Sequence, residues 1–224
     1  MSSAAVTLRL LAMRSLGLVS KVLMKVLQER LKAQTDTYIT DEKAGFRKYR
    51  NTIQQTLILR LVAEKAYGKG KQINHCFIDF QKAFTTIRHD VIWAMLKSYG
   101  VRRKLVALIK SIAAHAQAEV RVDKELGERF RMTVGTTQGD LISSTTFIIY
   151  LERIMDVIRD RDTEVRIQGH NINNLKFADD MDMIEENKSK LQENMNEVRK
   201  AGETAGLMIY VGKTKTIVTG KERK

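Results

Sequence analysis

The order of hydrophobic periodicities along the chain predicts an α+β fold. Helix-spaced apolar residues come first. Short apolar runs bounded by glycine follow, and helices then mix irregularly with two candidate hairpins instead of repeating as βαβ units. No repeat, low-complexity tract or Gly/Ser-rich linker interrupts residues 1–224, so one continuous domain subdivided by topology is expected.

Met1 to Ser20 mixes apolar residues with Arg9 and Arg14 and lacks a basic segment ahead of an apolar core, so it reads as a helix of the fold and not as a signal peptide. After Ser20, Val22, Leu23, Val26, Leu27 and Leu31 share one stripe of a helix over Lys21 to Lys32. Asp41 to Arg50 is polar around Gly45 and reads as loop. Thr52 to Ala66 returns to helical spacing with Ile53, Leu57, Leu61 and Val62. Gly68 and Gly70 end it, and Ile73 to Phe80 is a buried strand carrying a single acid, Asp79. Helices are expected over Asp90 to Ser98 and Arg102 to Ala114, and a hairpin over Ala116 to Val122 and Glu128 to Val134 around Gly127. Leu141 to Ile158 is too long for a strand and predicts a central helix. A second hairpin, Asn171 to Phe177 and Met181 to Ile184, turns at Ala178-Asp179-Asp180 and sets two acids at its tip. Lys188 to Ala205 predicts a helix with Leu191, Met195 and Val198 inward, and Lys215 to Val218 a last strand.

Composition narrows the function classes. Hydrophobic residues make up 43% and charged residues 29%, the balance of a soluble globular chain, and no run reaches the roughly 20 apolar residues of a membrane span. Cys76 is the only cysteine, which excludes an intrachain disulfide and a cysteine-based zinc site and points to a reducing compartment. The four histidines, His75, His89, His115 and His170, have no metal-ligand spacing. A net charge of +13, with thirteen Lys/Arg against five Asp/Glu in residues 1–70, suits a polyanionic partner. Proline is absent, where average usage of about 5% predicts about eleven, so turns are less rigidly specified.

Three carboxylates carry the candidate chemistry. Two ionised acids about 4 Å apart repel by roughly 4 kcal/mol at an effective dielectric of 20, and a divalent cation relieves this. Mg²⁺ takes a few carboxylates together with substrate phosphates, so an open group of acids suits nucleotide chemistry. Asp79 at a strand end and Asp179 and Asp180 on a turn are such a group; strand-end carboxylates facing water are the alternative.

Phe77-Ile78-Asp79-Phe80-Gln81-Lys82-Ala83-Phe84 resembles motif A of reverse transcriptases of the non-LTR (LINE-type) retrotransposon kind, and Phe177-Ala178-Asp179-Asp180 resembles their motif C. Thr137-Gln138-Gly139-Asp140 with Leu141-Ile142-Ser143 is similar to motif B. Gly206-Leu207-Met208-Ile209 with Lys213-Thr214-Lys215 is similar to motif D, and Ala44-Gly45-Phe46-Arg47 with Arg50-Asn51-Thr52 to the fingers motif. The five occur in the family's order across about residues 17–220. The chain departs from the pattern at Thr85, where the family has Asp, at Leu141-Ile142-Ser143-Ser144, where it has Pro, at Lys43, where it often has Gln, and near Tyr210, where it often has Asn.

The resemblance implies a polymerase right hand, with an antiparallel palm sheet packed on helices: fingers over about 1–70, palm over about 71–220, and a further fingers segment near 85–135. No stretch after motif D is assignable to a thumb, and no endonuclease segment precedes the motifs. Implied with it are RNA-directed DNA polymerisation on template RNA and a DNA primer, dNTP substrates, Mg²⁺ or Mn²⁺, and a place in a cytoplasmic ribonucleoprotein and the nucleus; no membrane partner is implied. Asp79, Asp179 and Asp180 become the metal-binding catalytic acids. Phe80, Phe84, Gln138, Gly139, Arg47, Arg50 and Lys213 become nucleotide contacts, with Phe84 blocking a ribose 2′-hydroxyl and Lys213 protonating pyrophosphate. A binding-only remnant that holds nucleic acid without polymerising is the competing reading. A P-loop at Gly206 and Gly212-Lys213-Thr214 is excluded because five residues, not four, separate the glycines. The oligomeric state is not legible.

Overall fold

A computed structural model describes residues 6–10, 18–39, 44–45, 49–115, 117–122, 125–136, 141–159, 161, 163 and 165–220. They divide into two compact units, one from residues 1–38 and 84–149, the other from 39–83 and 150–224.

In the first unit, strand β1 (Val6–Leu10) pairs antiparallel with β3 (Gln117–Val122), which also pairs with β4 (Glu125–Leu126) and β5 (Phe130–Arg131). The N-terminal segment expected as helix thus supplies a strand. Its alternation Val6, Leu8, Leu10 has period two, and pairing to β3 overrides the helical propensity of the leucines. The expected hairpin forms, but Val122 already pairs with Glu125, so the chain reverses before Gly127, whose N–H donates to the Val120 carbonyl. Helix α1 (Leu18–Thr35) packs on α5 (Arg103–Ala114) and turns only part of the expected stripe, Leu27 and Leu31, inward. Met24, Leu27, Gln28, Leu31 and Thr35 are buried, while Val22, Leu23 and Val26 are exposed. Short α3 (Ala83–Thr86) and α4 (His89–Ser98) complete this unit, with Tyr99 after α4 stacked on Tyr38 at 4.7 Å. Helix α6 (Leu141–Arg159) gives its first half to this unit and its second half to the other.

The second unit is built on a four-stranded antiparallel sheet in the order β10-β2-β9-β8. These are β2 (Gln72–Ile78), β8 (Asn174–Phe177), β9 (Asp180–Glu185) and β10 (Lys215–Gly220), with the small hairpin β6 (Arg166–Ile167) and β7 (His170–Asn171) beside them. One face carries Ile73, Leu175 and Ile184, which pack against Val62 and Ala66 of α2 (Thr52–Gly68). That helix meets the expectation only in part: Val62 is buried as expected, with Gln55 and Ala66, while Ile53, Leu57 and Leu61 are exposed. The other face carries Lys176 and Glu185. Lys176 meets Glu152 of α6 at 2.8 Å, and Glu185 accepts from Asn194 of α7 (Lys188–Ala205) at 3.1 Å.

A polar row runs across the α2 side of the sheet. His75 Nδ1 lies 2.8 Å from Asp182 Oδ2, and its Nε2 lies 3.0 Å from Thr219 Oγ1, which ties β2 to β9 and β10. Burial pushes the Asp182 carboxyl above the usual carboxylate range, against the opposing pull of His75. Burial, with the Asp182 charge second, also pushes the Cys76 thiol up. Cys76 is 3% exposed, so its alkylation by iodoacetamide at pH 8 is expected to run about a hundredfold slower in the native chain than in urea, measured by mass spectrometry. Equal rates would place the thiol outside the core.

Candidate active site

Asp79 stands one residue past the end of β2, where the chain exchanges partners. Its carbonyl accepts from Tyr210 N–H at 2.7 Å, Gln81 N–H donates to the Met208 carbonyl at 2.8 Å, and Phe80 bridges to Ile209 between them. The partner segment is delivered by the end of α7. Gly206 caps that helix at φ 91°, a conformation only glycine adopts cheaply, and sends Leu207–Tyr210 back along Asp79–Gln81. A turn through Val211 to Lys213 then leads into β10 and sets Lys213 Nζ 3.2 Å from Asp79 Oδ2 and 5.5 Å from the centre of the Tyr210 ring.

Asp179 and Asp180 part company at the β8–β9 turn. Phe177 pairs with Asp180, so the turn is Ala178-Asp179, and Asp180 opens β9 instead of sitting at the tip. Ala178, the first residue of the turn, adopts φ 53°, in the left-handed region. Holding an alanine there costs about 1–2 kcal/mol. The turn is braced from outside the sheet. Ala44 N–H donates to the Lys176 carbonyl at 2.9 Å, and a Cβ added to Gly45 would lie 2.1 Å from Ala178 N and 2.9 Å from its Cα. Gly45→Ala is therefore expected to displace the turn. A displacement of about 1 Å costs on the order of a hundredfold in rate. Primer-extension rates of the variant, with circular dichroism to confirm folding, check this.

Asp79, Asp180 and Lys213 line one open cleft of about 530 Å³ with Phe77, Met181, Gly212 and Lys215. Asp79 and Asp179 are half-buried and Asp180 is exposed. The structure thus brings Asp79, Asp180 and Lys213 together and puts Asp179 on the adjoining turn. Phe80 is 3% exposed, with its ring against Gly202 of α7 and its backbone bridged to Ile209.

The remaining expected contacts are placed in part. Arg50 is exposed just ahead of α2, beside Asn51, which caps that helix reciprocally with Gln54. Arg47, Gln138 and Gly139 lie outside the described residues. Phe84, in the first unit, stacks on Phe147 at 4.2 Å, and its carbonyl accepts from Thr136 N–H at 2.7 Å. Gly135, which no motif or periodicity singles out, completes that clamp. It has φ 80°, its N–H donates to the Ile87 carbonyl at 2.7 Å, and a Cβ there would lie 2.9 Å from Thr85 O. Gly45 was equally hidden as a support for Ala178, because the approach joins residues far apart in the chain.

Residues 8–224 match the family model described as reverse transcriptase (RNA-dependent DNA polymerase). The chain belongs to the reverse transcriptase family. The relatives agree with the non-LTR branch that the motifs resemble. The chain is 24% identical over 174 residues to the retrovirus-related Pol polyprotein of the type-1 retrotransposable element R2 of Nasonia vitripennis, covering 76% of this chain and 17% of that protein. It is 22% identical over 204 residues to the corresponding polyprotein of the type-2 element R2DM of Drosophila melanogaster, covering 89% and 19%. This reverse transcriptase chain thus spans under a fifth of the length of these two relatives. Among solved structures, telomerase from Candida tropicalis in complex with a TWJ fragment of telomeric RNA shares the fold, with a TM-score of 0.62 at 15% identity over 90% of this chain and 34% of that one. The apo telomerase truncated from its C-terminal domain gives 0.61 at 13% identity, over 92% and 41%. The expected α+β fingers-and-palm architecture with an antiparallel sheet therefore stands. Among the described residues, no helix is long and apolar enough to cross a membrane.

Proposed function

We propose that the chain is the polymerising core of a non-LTR retrotransposon protein, adding dNTPs to a DNA primer 3′-hydroxyl on an RNA template. The single observation that carries this is the meeting of Asp79, Asp180 and Lys213 in one open cleft, with Asp179 on the turn beside it. The second unit is read as palm, and the first, with its inserted segment 84–149, as fingers.

The donor set fits a hard divalent cation. Its acids offer oxygen only, and Asp79 already draws a positive group, Lys213, to 3.2 Å. Among the described residues no group of three His, Cys, Asp or Glu stands close enough to hold a metal ion by itself, so a pair of carboxylates would have to hold it with water and substrate phosphate as its other ligands. Asp79 and Asp179 would hold Mg²⁺, with Mn²⁺ suited to the same oxygens, and Asp180 would be a weaker ligand or an electrostatic support. When bound, the ions lower the pKa of the primer hydroxyl and neutralise charge on the triphosphate.

The chain's own groups do the rest. Lys213 carries an ammonium on an exposed arm that can leave Asp79 for the leaving pyrophosphate and give up a proton there. Arg47 and Arg50 carry guanidinium groups suited to phosphate oxygens, and Gln138 and Gly139 would contact nucleotide and template. Phe84 selects against a ribose 2′-hydroxyl, a role that its place in motif A suggests and its seating on Phe147 supports. Extension of a DNA primer on an RNA template, with dNTPs and Mg²⁺ and with an EDTA control, tests the proposal. Extension lost in EDTA supports it. Salt-sensitive template binding with no extension would replace it with the binding-only reading.

A further inference from the structure

A second cleft lies at the opposite end of the sheet from Asp79. It is small, about 120 Å³, with an apolar floor of Val62, Ala66, Ile73 and Val165 and a rim of Lys65, Lys69, Lys71 and Arg166 against one acid, Glu186. Lys71 precedes β2 and Asp79 follows it, so the two sites stand about the length of that seven-residue strand and its flanks apart, roughly 26 Å.

The rim is not explained by stability alone. Lys65 and Lys69 end α2, where cations favour the helix dipole. That does not account for Lys71, from the lead into β2, or Arg166, from β6, both brought to the same rim. Like charges gathered this closely repel, and Lys71 Nζ draws the one acid of the rim, Glu186 Oε2, to 2.7 Å. Lys65 is anchored on the Arg166 backbone carbonyl, and the Lys69 side chain is exposed with no partner among the described residues.

We propose that this cleft binds the phosphodiester backbone of a nucleic-acid strand as a site separate from the acidic cleft, holding template or element RNA outside the region of synthesis. Rim cations meet the phosphates, and the apolar floor accepts the sugar side of the strand. The site needs neither metal nor dNTP, so its failure is distinguishable from failure of the polymerase reading.

The test is the salt dependence of binding of a labelled single-stranded RNA of about thirty nucleotides, by fluorescence anisotropy without Mg²⁺ or dNTPs. The chain is compared with the triple variant Lys65→Gln, Lys69→Gln, Arg166→Gln. Three lost phosphate contacts at a slope of about 0.7 each are expected to make the plot of log affinity against log salt shallower by about 2, with affinity near 0.1 M salt about a hundredfold lower. Competition by DNA or RNA of equal length separates the two backbone sources. An unchanged slope and affinity would overturn the proposal, as would displacement of the RNA by an acidic peptide alone with the slope unaltered. If the triple variant does not fold, Lys69→Gln on its exposed side chain is expected to lower the slope by about 0.7, and no change there would equally overturn it.

Discussion

Asp79→Asn is expected to lower single-nucleotide incorporation by about a thousandfold with the fold intact. A ligand that holds a catalytic ion supports several kcal/mol of transition-state charge stabilisation, and about 4 kcal/mol corresponds to about a thousandfold in rate. The fold is expected to tolerate the change because the backbone of Asp79, not its carboxylate, makes the bond to Tyr210. The lost ion pair with Lys213 is largely solvent-exposed on the lysine side, 66%, and such pairs contribute little to stability. Pre-steady-state incorporation at saturating dNTP, beside a urea unfolding curve, separates the two effects. A variant that unfolds at lower urea in proportion to its lost rate would make Asp79 a structural residue.

Lys176→Met is expected to destabilise the chain by about 3–5 kcal/mol. Lys176 and Glu152 are each 1% exposed and meet at 2.8 Å, so removing the ammonium leaves a carboxylate in the core with Arg159 at 3.6 Å as its remaining ion-pair partner. Breaking one side of a buried pair costs about this much, whereas replacing both sides with apolar groups costs far less. The double variant Lys176→Met, Glu152→Met is accordingly expected to recover most of the loss. Lys176 also stands two residues before Ala178, on the strand that carries the turn, so the pair fixes that strand against α6. Equilibrium urea unfolding of both variants checks this; a double variant as unstable as the single one would mean that packing volume, not charge, sets the cost.

Much of the site was legible because its acids belong to local words. Asp79 ends an apolar run, and Asp179 and Asp180 follow an aromatic at a hairpin turn, so strand boundaries alone put them at sheet ends. Their division, with Asp179 in the turn and Asp180 in β9, was not legible, since register is set by pairing across strands. The inward faces of α1 and α2 were legible only in part for a related reason: Leu27, Leu31 and Val62 turn inward, while Val22, Leu23, Val26, Ile53, Leu57 and Leu61 do not. Both helices carry apolar residues around more than one side, and the stripe that turns inward is chosen by the partner: Ile73, Leu175 and Ile184 select Val62 and Ala66 over Ile53 and Leu57. The Glu152–Lys176 pair and the brace from Gly45 to Ala178 join residues distant in the chain, and no periodicity announces either. The N-terminal strand escaped because its leucines suit a helix, and only β3 makes a strand the better choice.

The measurement that bears most directly on the central claim is Mg²⁺-dependent incorporation of one dNTP on a primed RNA template, comparing the chain with Asp179→Asn at equal template occupancy. This substitution removes one carboxylate charge from the turn at nearly constant shape. Incorporation by the chain and its loss by about a thousandfold in the variant is the predicted result. Equal incorporation by both, or none by either while template binding persists, would contradict it.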